Sequence, residues 1–272
     1  MKRLLTAAVG VPLALAAVFK LPGWAFFLLV ALLFEWAAIE FTALVRPLAP
    51  RAPWWWLLIS APLAAAGLAW GLAPGVTIDG FWPLALAALA ALATPVVVLL
   101  ARTPLEQAVV TTALLAWGTL YFAAPVAALC RLQQHDPWVF FLLLAIVWLG
   151  DTAAYYLGTA FGRHRLAPTV SPKKSWEGAI AGFVTSLLAT ATWSLWQLDT
   201  LDFRLLAVGA LTAVASQLGD LVESVVKRAA GVKDSGGVLP GHGGVYDRLD
   251  AMFLAAPVML LALWLFGFEV GP

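Results

Sequence analysis

One cysteine, Cys130, occurs in 272 residues, so the chain can build neither an internal disulfide nor a cluster of thiolate metal ligands. It lies in an apolar run and reads as a small buried hydrophobe rather than a reactive thiol. Histidine is nearly as scarce, and His135, His164 and His242 are too scattered for a zinc cage. Charge is low: Asp, Glu, Lys and Arg make up 11% of the chain against 62% hydrophobic residues, which excludes a soluble globular domain. There is no P-loop, no Ser/His/Asp order, no nucleic-acid-binding motif, no fixed-period repeat and no low-complexity tract. The net charge of +1 excludes nothing, because in a membrane protein the placement of charge decides.

What the chain has instead is long apolar runs. Nine stretches approach the roughly 20 residues needed to cross a bilayer: about 4–19, 23–45, 54–74, 81–101, 105–131, 138–158, 176–196, 203–226 and 249–268. The expected fold is therefore all-α, a polytopic integral membrane protein of about nine transmembrane helices. Met1-Lys2-Arg3 before the first run resembles the start of a secretory signal, but no small-x-small cleavage site follows, so an uncleaved first span is expected. Trp54, Trp55, Trp56, Trp82 and Trp138 stand where interfacial aromatic belts belong.

Nine spans put the termini on opposite sides and assign every loop to a face. Thirteen of the sixteen Lys and Arg residues then fall on the N-terminal side, leaving Lys20, Arg131 and Arg204 on the other. The positive-inside rule places the N-terminus and both polar loops in the cytoplasm and the C-terminus outside; an even span number would spoil this asymmetry. The chain reads as one membrane domain over 1–272. Within it, spans of 1–135 form a scaffold and 138–272 a catalytic half with cytoplasmic loops 159–175 and 227–247.

Glu35 and Glu40 lie five residues apart in the second span and point to different faces. Each is either a buried structural hydrogen-bond partner or, given the cost of charge at membrane depth, a functional group. Asp151 and Tyr155, at the end of the sixth span, share a helix face, and Gly158 and Gly162 permit close helix packing. Downstream, Ser171-Pro172-Lys173-Lys174-Ser175 resembles a phosphate-binding turn ahead of a helix; the alternative is a basic topology signal that touches anionic lipid.

The eighth span carries Ser216, Asp220, Glu223, Ser224 and Lys227 within an arc of roughly 100°. Such a stripe must line a cavity or contact other protein groups. Six glycines follow between Gly231 and Gly244, a backbone able to fold around a ligand and present N–H groups to phosphate. Asp247 and Asp250 open the last span one turn apart. Carboxylates from two helices with hydroxyls suit a hard cation such as Mg²⁺. Lys227, Arg228, Lys233 and Arg248 around them suit a polyphosphate, and together they describe phosphoryl or nucleotidyl transfer. His242 is a general base or phosphate donor, or a turn histidine bonded to backbone.

The run Ser224-Val-Val-Lys227-Arg228, then Lys233-Asp234-Ser-Gly236-Gly-Val-Leu-Pro240-Gly241-His242-Gly243-Gly244-Val-Tyr-Asp247-Arg248-Leu-Asp250, closely resembles the signature of the CDP-diglyceride synthetases, or phosphatidate cytidylyltransferases, of bacterial type. Asp151-Thr-Ala-Ala-Tyr155 and Leu166 to Gly178 look like that family's other block, so the resemblance covers the C-terminal half; the first five spans match only in being hydrophobic. Ala251 stands where many members have Ser. The resemblance implies condensation of CTP with phosphatidic acid to CDP-diacylglycerol and pyrophosphate in phospholipid biosynthesis. It also implies Mg²⁺, a second cation such as K⁺, a homodimer and residence in the bacterial cytoplasmic membrane.

Carried over residue by residue, the resemblance makes Asp220 and Asp247 metal ligands, with Ser216, Glu223 and Asp250 as further candidates. Asp220, Asp247, Lys227 and His242 become catalytic. Asp151, Ser171, Lys173, Lys174, Ser224, Arg228, Lys233, Gly243, Gly244 and Arg248 become substrate-binding. Two other readings stand beside this one. A CDP-alcohol phosphotransferase would need an aspartate cluster along one helix pair that is missing. A cation-coupled transporter would use Glu35, Glu40 and the striped helix but has no need of a Gly-rich basic loop.

Overall fold

The computed structural model describes residues 2–71, 81–236 and 243–268. In chain order the elements are α1 (Lys2–Lys20), α2 (Gly23–Val45), α3 (Trp55–Gly71), α4 (Phe81–Leu92), α5 (Thr94–Leu100), α6 (Leu105–His135) and α7 (Pro137–Phe161). They continue with β1 (Arg165–Ala167), β2 (Ser171–Ser175), α8 (Trp176–Leu198), α9 (Phe203–Ala229), α10 (Tyr246–Leu249) and α11 (Met252–Leu265).

Among the described residues, six helical segments are long and apolar enough to cross a membrane: Gly23–Leu48, Leu105–His135, Pro137–Phe161, Trp176–Leu198, Phe203–Ala229 and Tyr246–Leu265. They coincide with six of the nine expected spans. The other three coincide with shorter apolar helices, Gly10–Lys20, Trp55–Ala69 and Ala88–Leu100. The protein is thus an all-α polytopic membrane protein. Its outward faces are apolar, as lipid requires: Leu99, Leu105 and Val109 are 76%, 89% and 79% exposed. The expected span 81–101 is interrupted at Ala93. Pro95, in the first turn of α5, has no N–H for the ladder, which resumes when Val97 N donates to Ala93 O.

Polar side chains start the C-terminal helices. Asp136 accepts from Trp138 N at α7, Ser175 from Gly178 N at α8 and Asp202 from Arg204 N at α9. Helix α9 is closed off just beyond its last residue by Gly231, whose φ of +72° lets Val232 N return to Lys227 O. Helix α7 packs on α8, α8 on α9 and α9 on α11, while α6 joins α2, α3 and α11. At the α7–α8 contact Gly158 faces Gly178, where a Cβ would meet the opposing Cα at 3.3 Å, as the glycine spacing predicts. Cys130 is fully buried in the core.

Two local readings change. Trp54 is a core residue, 5% exposed, with its indole donating to Ala49 O at 3.2 Å, while Trp55 and Trp138 face outward; the side chain of Trp82 lies outside the described residues. The Ser171–Ser175 run is not a turn. It forms β2 of an antiparallel ribbon, with Arg165 opposite Ser175 and Ala167 opposite Ser171. Pro172 is tolerated there because each strand of a two-stranded ribbon is an edge.

Candidate active site

The striped face of α9 meets the start of the last span where Gly219 allows it. A Cβ on Gly219 would lie 2.6 Å from the carbonyl oxygen of Asp250, so only glycine lets the two backbones approach this closely. The approach gathers Asp220, Glu223 and Asp250, whose carboxylate oxygens lie within 4.8 Å of one another. Glu223 is 1% exposed. Its Oε2 lies 2.7 Å from Lys227 Nζ, an ion pair one turn along α9, and the Asp247 carboxyl lies beside it. Three clustered carboxylates, one of them almost fully buried, make an all-oxygen donor set that fits a hard divalent cation such as Mg²⁺.

Beside this group a cavity of about 370 Å³ opens between α7, α8, α9 and the ribbon. Asp151, Tyr155 and Gly158 line it from α7, Lys173 and Lys174 from β2, and Gln217 and Asp220 from α9. Asp220 therefore belongs to both the cavity and the acidic group. Lys174 Nζ pairs with Asp220 Oδ2 at 2.5 Å, and Asp151 lies close enough to feel both charges. Glu177, in the first turn of α8, accepts from Arg163 N at 3.1 Å, His164 N at 3.2 Å and His164 Nδ1 at 2.6 Å, fixing the approach to the ribbon. Arg228 ties the two polar loops together, its Nε donating to Val170 O and its Nη1 to Val232 O, at 3.1 and 3.0 Å.

Asp247 has other partners. Its Oδ1 accepts from Lys227 Nζ at 2.7 Å, and its Oδ2 from Ser235 N at 3.0 Å and Gly244 N at 2.8 Å. Although one turn from Asp250, it closes the neck of the Gly-rich loop while Asp250 faces Asp220. The backbone stays helical through Asp250 and Ala251 into α11, so the two aspartates lie one turn apart on one helical segment and differ in what each meets: Lys227, Ser235 and Gly244 for Asp247, the Asp220 face of α9 for Asp250. Gly243 adopts φ +75°, a left-handed conformation that brings its backbone against Asp247 Oδ2.

The structure thus brings together Asp151, Lys173, Lys174, Asp220, Glu223 and Asp250, with Lys227 and Asp247 adjoining. Ser216 and Ser224 are buried along α9, and Ser171 sits in the ribbon opposite Ala167. Lys233 and Arg248 are exposed on either side of the Gly-rich loop, and Gly244 is buried at its neck. His242 lies outside the described residues. Three contacts are not evident from spacing: the Lys174–Asp220 ion pair, the bond from Gln217 Nε2 to Ala179 O at 3.0 Å, and Glu40. Glu35 faces a narrow crevice lined by Ala61, Pro62 and Phe122, away from all of these.

Comparison with known proteins finds similar bacterial sequences. Phosphatidate cytidylyltransferase of Haemophilus influenzae is 46% identical over 158 residues, 53% of this chain and 54% of the relative. That of Pseudomonas aeruginosa is 42% identical over 127 residues, 46% of this chain and 47% of the relative. The Bacillus subtilis protein of the same name is 40% identical over 138 residues, 50% and 51% of the two. The chain thus spans about half the length of the curated relatives it matches. A sequence profile of the Cytidylyltransferase family matches residues 1–266, and the chain belongs to that family.

Proposed function

We propose that this chain is a phosphatidate cytidylyltransferase of the bacterial cytoplasmic membrane, converting CTP and phosphatidic acid to CDP-diacylglycerol and pyrophosphate. The observation that carries the reading is the double membership of Asp220, which joins a three-carboxylate group to a lysine-lined cavity in a chain of the Cytidylyltransferase family.

In this reading a phosphate oxygen of phosphatidic acid forms a bond to the α-phosphorus of CTP as the bond to the β-phosphate oxygen breaks, and pyrophosphate leaves. Both reactants are anions, so the protein's main tasks are positioning and charge neutralisation. Lys173, facing the cavity, and Lys233, Arg228 and Arg248 around the loops hold phosphates. Lys174 orients Asp220, and Asp151 borders the same space. Lys227 neutralises Glu223 and Asp247 rather than reaching outward, and Asp247 keeps Gly244 N and Ser235 N in place.

Asp220, Glu223 and Asp250 would hold Mg²⁺, which when bound offsets phosphate charge and favours the leaving group. A monovalent second cation and a homodimer complete the reading, with the site and the N-terminus on the cytoplasmic side as the charge asymmetry supports. The test is purified protein with labelled CTP, phosphatidic acid and Mg²⁺. Pyrophosphate release should require phosphatidic acid, and Asp220→Asn should lower the rate by at least about 100-fold. Release that ignores the lipid, or that survives the substitution undiminished, sinks the assignment.

A further inference from the structure

Glu40, on α2, is 6% exposed and lies 195 positions before the residue it holds most directly. Its Oε2 accepts from Ser235 Oγ at 2.8 Å and from Tyr246 N at 2.9 Å, and its Oε1 accepts from Val245 N at 3.0 Å. Helix α10 has no capping side chain of its own. Two of its unpaired N-terminal N–H groups are satisfied by a carboxylate from the other end of the sequence. Ser235 is shared: its hydroxyl goes to Glu40 while its N–H goes to Asp247. The backbone at Gly244 runs directly against Glu40 and Ser235, leaving no room for a Cβ. Tyr246, fully buried against Phe41, Phe122 and Phe253, keeps the turn pressed onto α2 and α6.

We infer that Glu40 is a positioning residue of the site: it fixes the Val245–Asp250 turn on α2 and thereby sets Asp247 and Asp250 against α9. It touches no substrate. It acts through three donors that converge on one carboxylate, an arrangement an amide cannot reproduce, since the NH₂ of a glutamine would face N–H groups. Loss of bonds of this kind raises the open population of the turn by about 10-fold or more, because a hydrogen bond to a charged group contributes roughly 1.5–3 kcal/mol. Proteolysis tracks that population when closing is fast. Only the rate readout rests on the cytidylyl-transfer reading; the cleavage readout does not.

The experiment is limited trypsin digestion of the full chain in detergent, comparing parent, Glu40→Gln and Ser235→Ala. Cleavage after Lys233 and Arg248 is followed beside cleavage after Arg163 and Arg165 as an internal control. Glu40→Gln should speed the first pair about 10-fold and Ser235→Ala about 3-fold, with the control pair unchanged. With labelled CTP and phosphatidic acid, kcat of Glu40→Gln should fall about 10-fold while the KM for each substrate moves less than about 3-fold. Unchanged cleavage after Lys233 and Arg248 in both variants overturns the inference. So does equal acceleration of both pairs in both variants, which is a general loosening. A parent protein without transferase activity would end the proposed function yet leave the cleavage contrast standing.

Discussion

Lys227 Nζ stands 2.7 Å from Asp247 Oδ1, so one ammonium joins the last turn of α9 to the first turn of α10. The same nitrogen pairs with Glu223, and the three side chains are 12%, 7% and 1% exposed. Removing the cation leaves two buried carboxylates uncompensated, at a cost on the order of 3 kcal/mol. Lys227→Met is therefore expected to lower the thermal unfolding midpoint in detergent clearly. An unchanged midpoint would return Lys227 to the role of phosphate ligand.

Asp250→Asn removes a charge from the acidic group without changing side-chain size. Transfer should fall about 100-fold and the Mg²⁺ concentration for half-maximal rate should rise. A rate curve that superimposes on the parent's at every Mg²⁺ concentration would exclude Asp250 from the cation site.

Gly219 and Gly231 should respond differently to alanine. At Gly219 the new Cβ would collide with backbone at Asp250, so Gly219→Ala is expected to cost about 1–3 kcal/mol and most of the activity. At Gly231 there is open space but φ is +72°. Gly231→Ala should cost about 1 kcal/mol in stability and keep its turnover. Unfolding midpoints and initial rates of the two proteins check both statements.

The adjacent lysines of β2 should separate in kinetics. Lys173→Ala is expected to raise the KM for CTP, because its side chain lines the cavity and is in no ion pair among the described residues. Lys174→Ala is expected to lower kcat more than it changes KM, because it frees Asp220 from its 2.5 Å partner. Steady-state kinetics with both substrates varied would show the split, and identical profiles would remove it.

Much of this was legible because a bilayer leaves few choices. A run such as 23–45 has to be helical, since no water is present to satisfy its backbone, and α2 begins and ends there. The polar stripe of α9 was equally plain, because period alone puts Asp220 and Glu223 on one face. The partner of that face was hidden. Asp247 and Asp250 look equivalent in sequence, and only tertiary packing sets one against the loop neck and the other beside Asp220. Glu40 was visible as a costly intramembrane charge, but its partners lie some 200 positions away, beyond any local pattern. The β1–β2 ribbon is not legible, because strands of three and five residues carry no usable alternation.

The bonds from Glu40 to Ser235 and Tyr246 close loops of 195 and 206 positions. Helices that enter the bilayer in order of synthesis can therefore form those bonds only after α9 and the turn that follows it have emerged. The acidic group completes at the same moment, since Asp250 ends that turn. Site assembly is thus tied to the insertion of the segment that follows α9, and a chain halted after α9 would carry the lysine-lined cavity but no completed cation site.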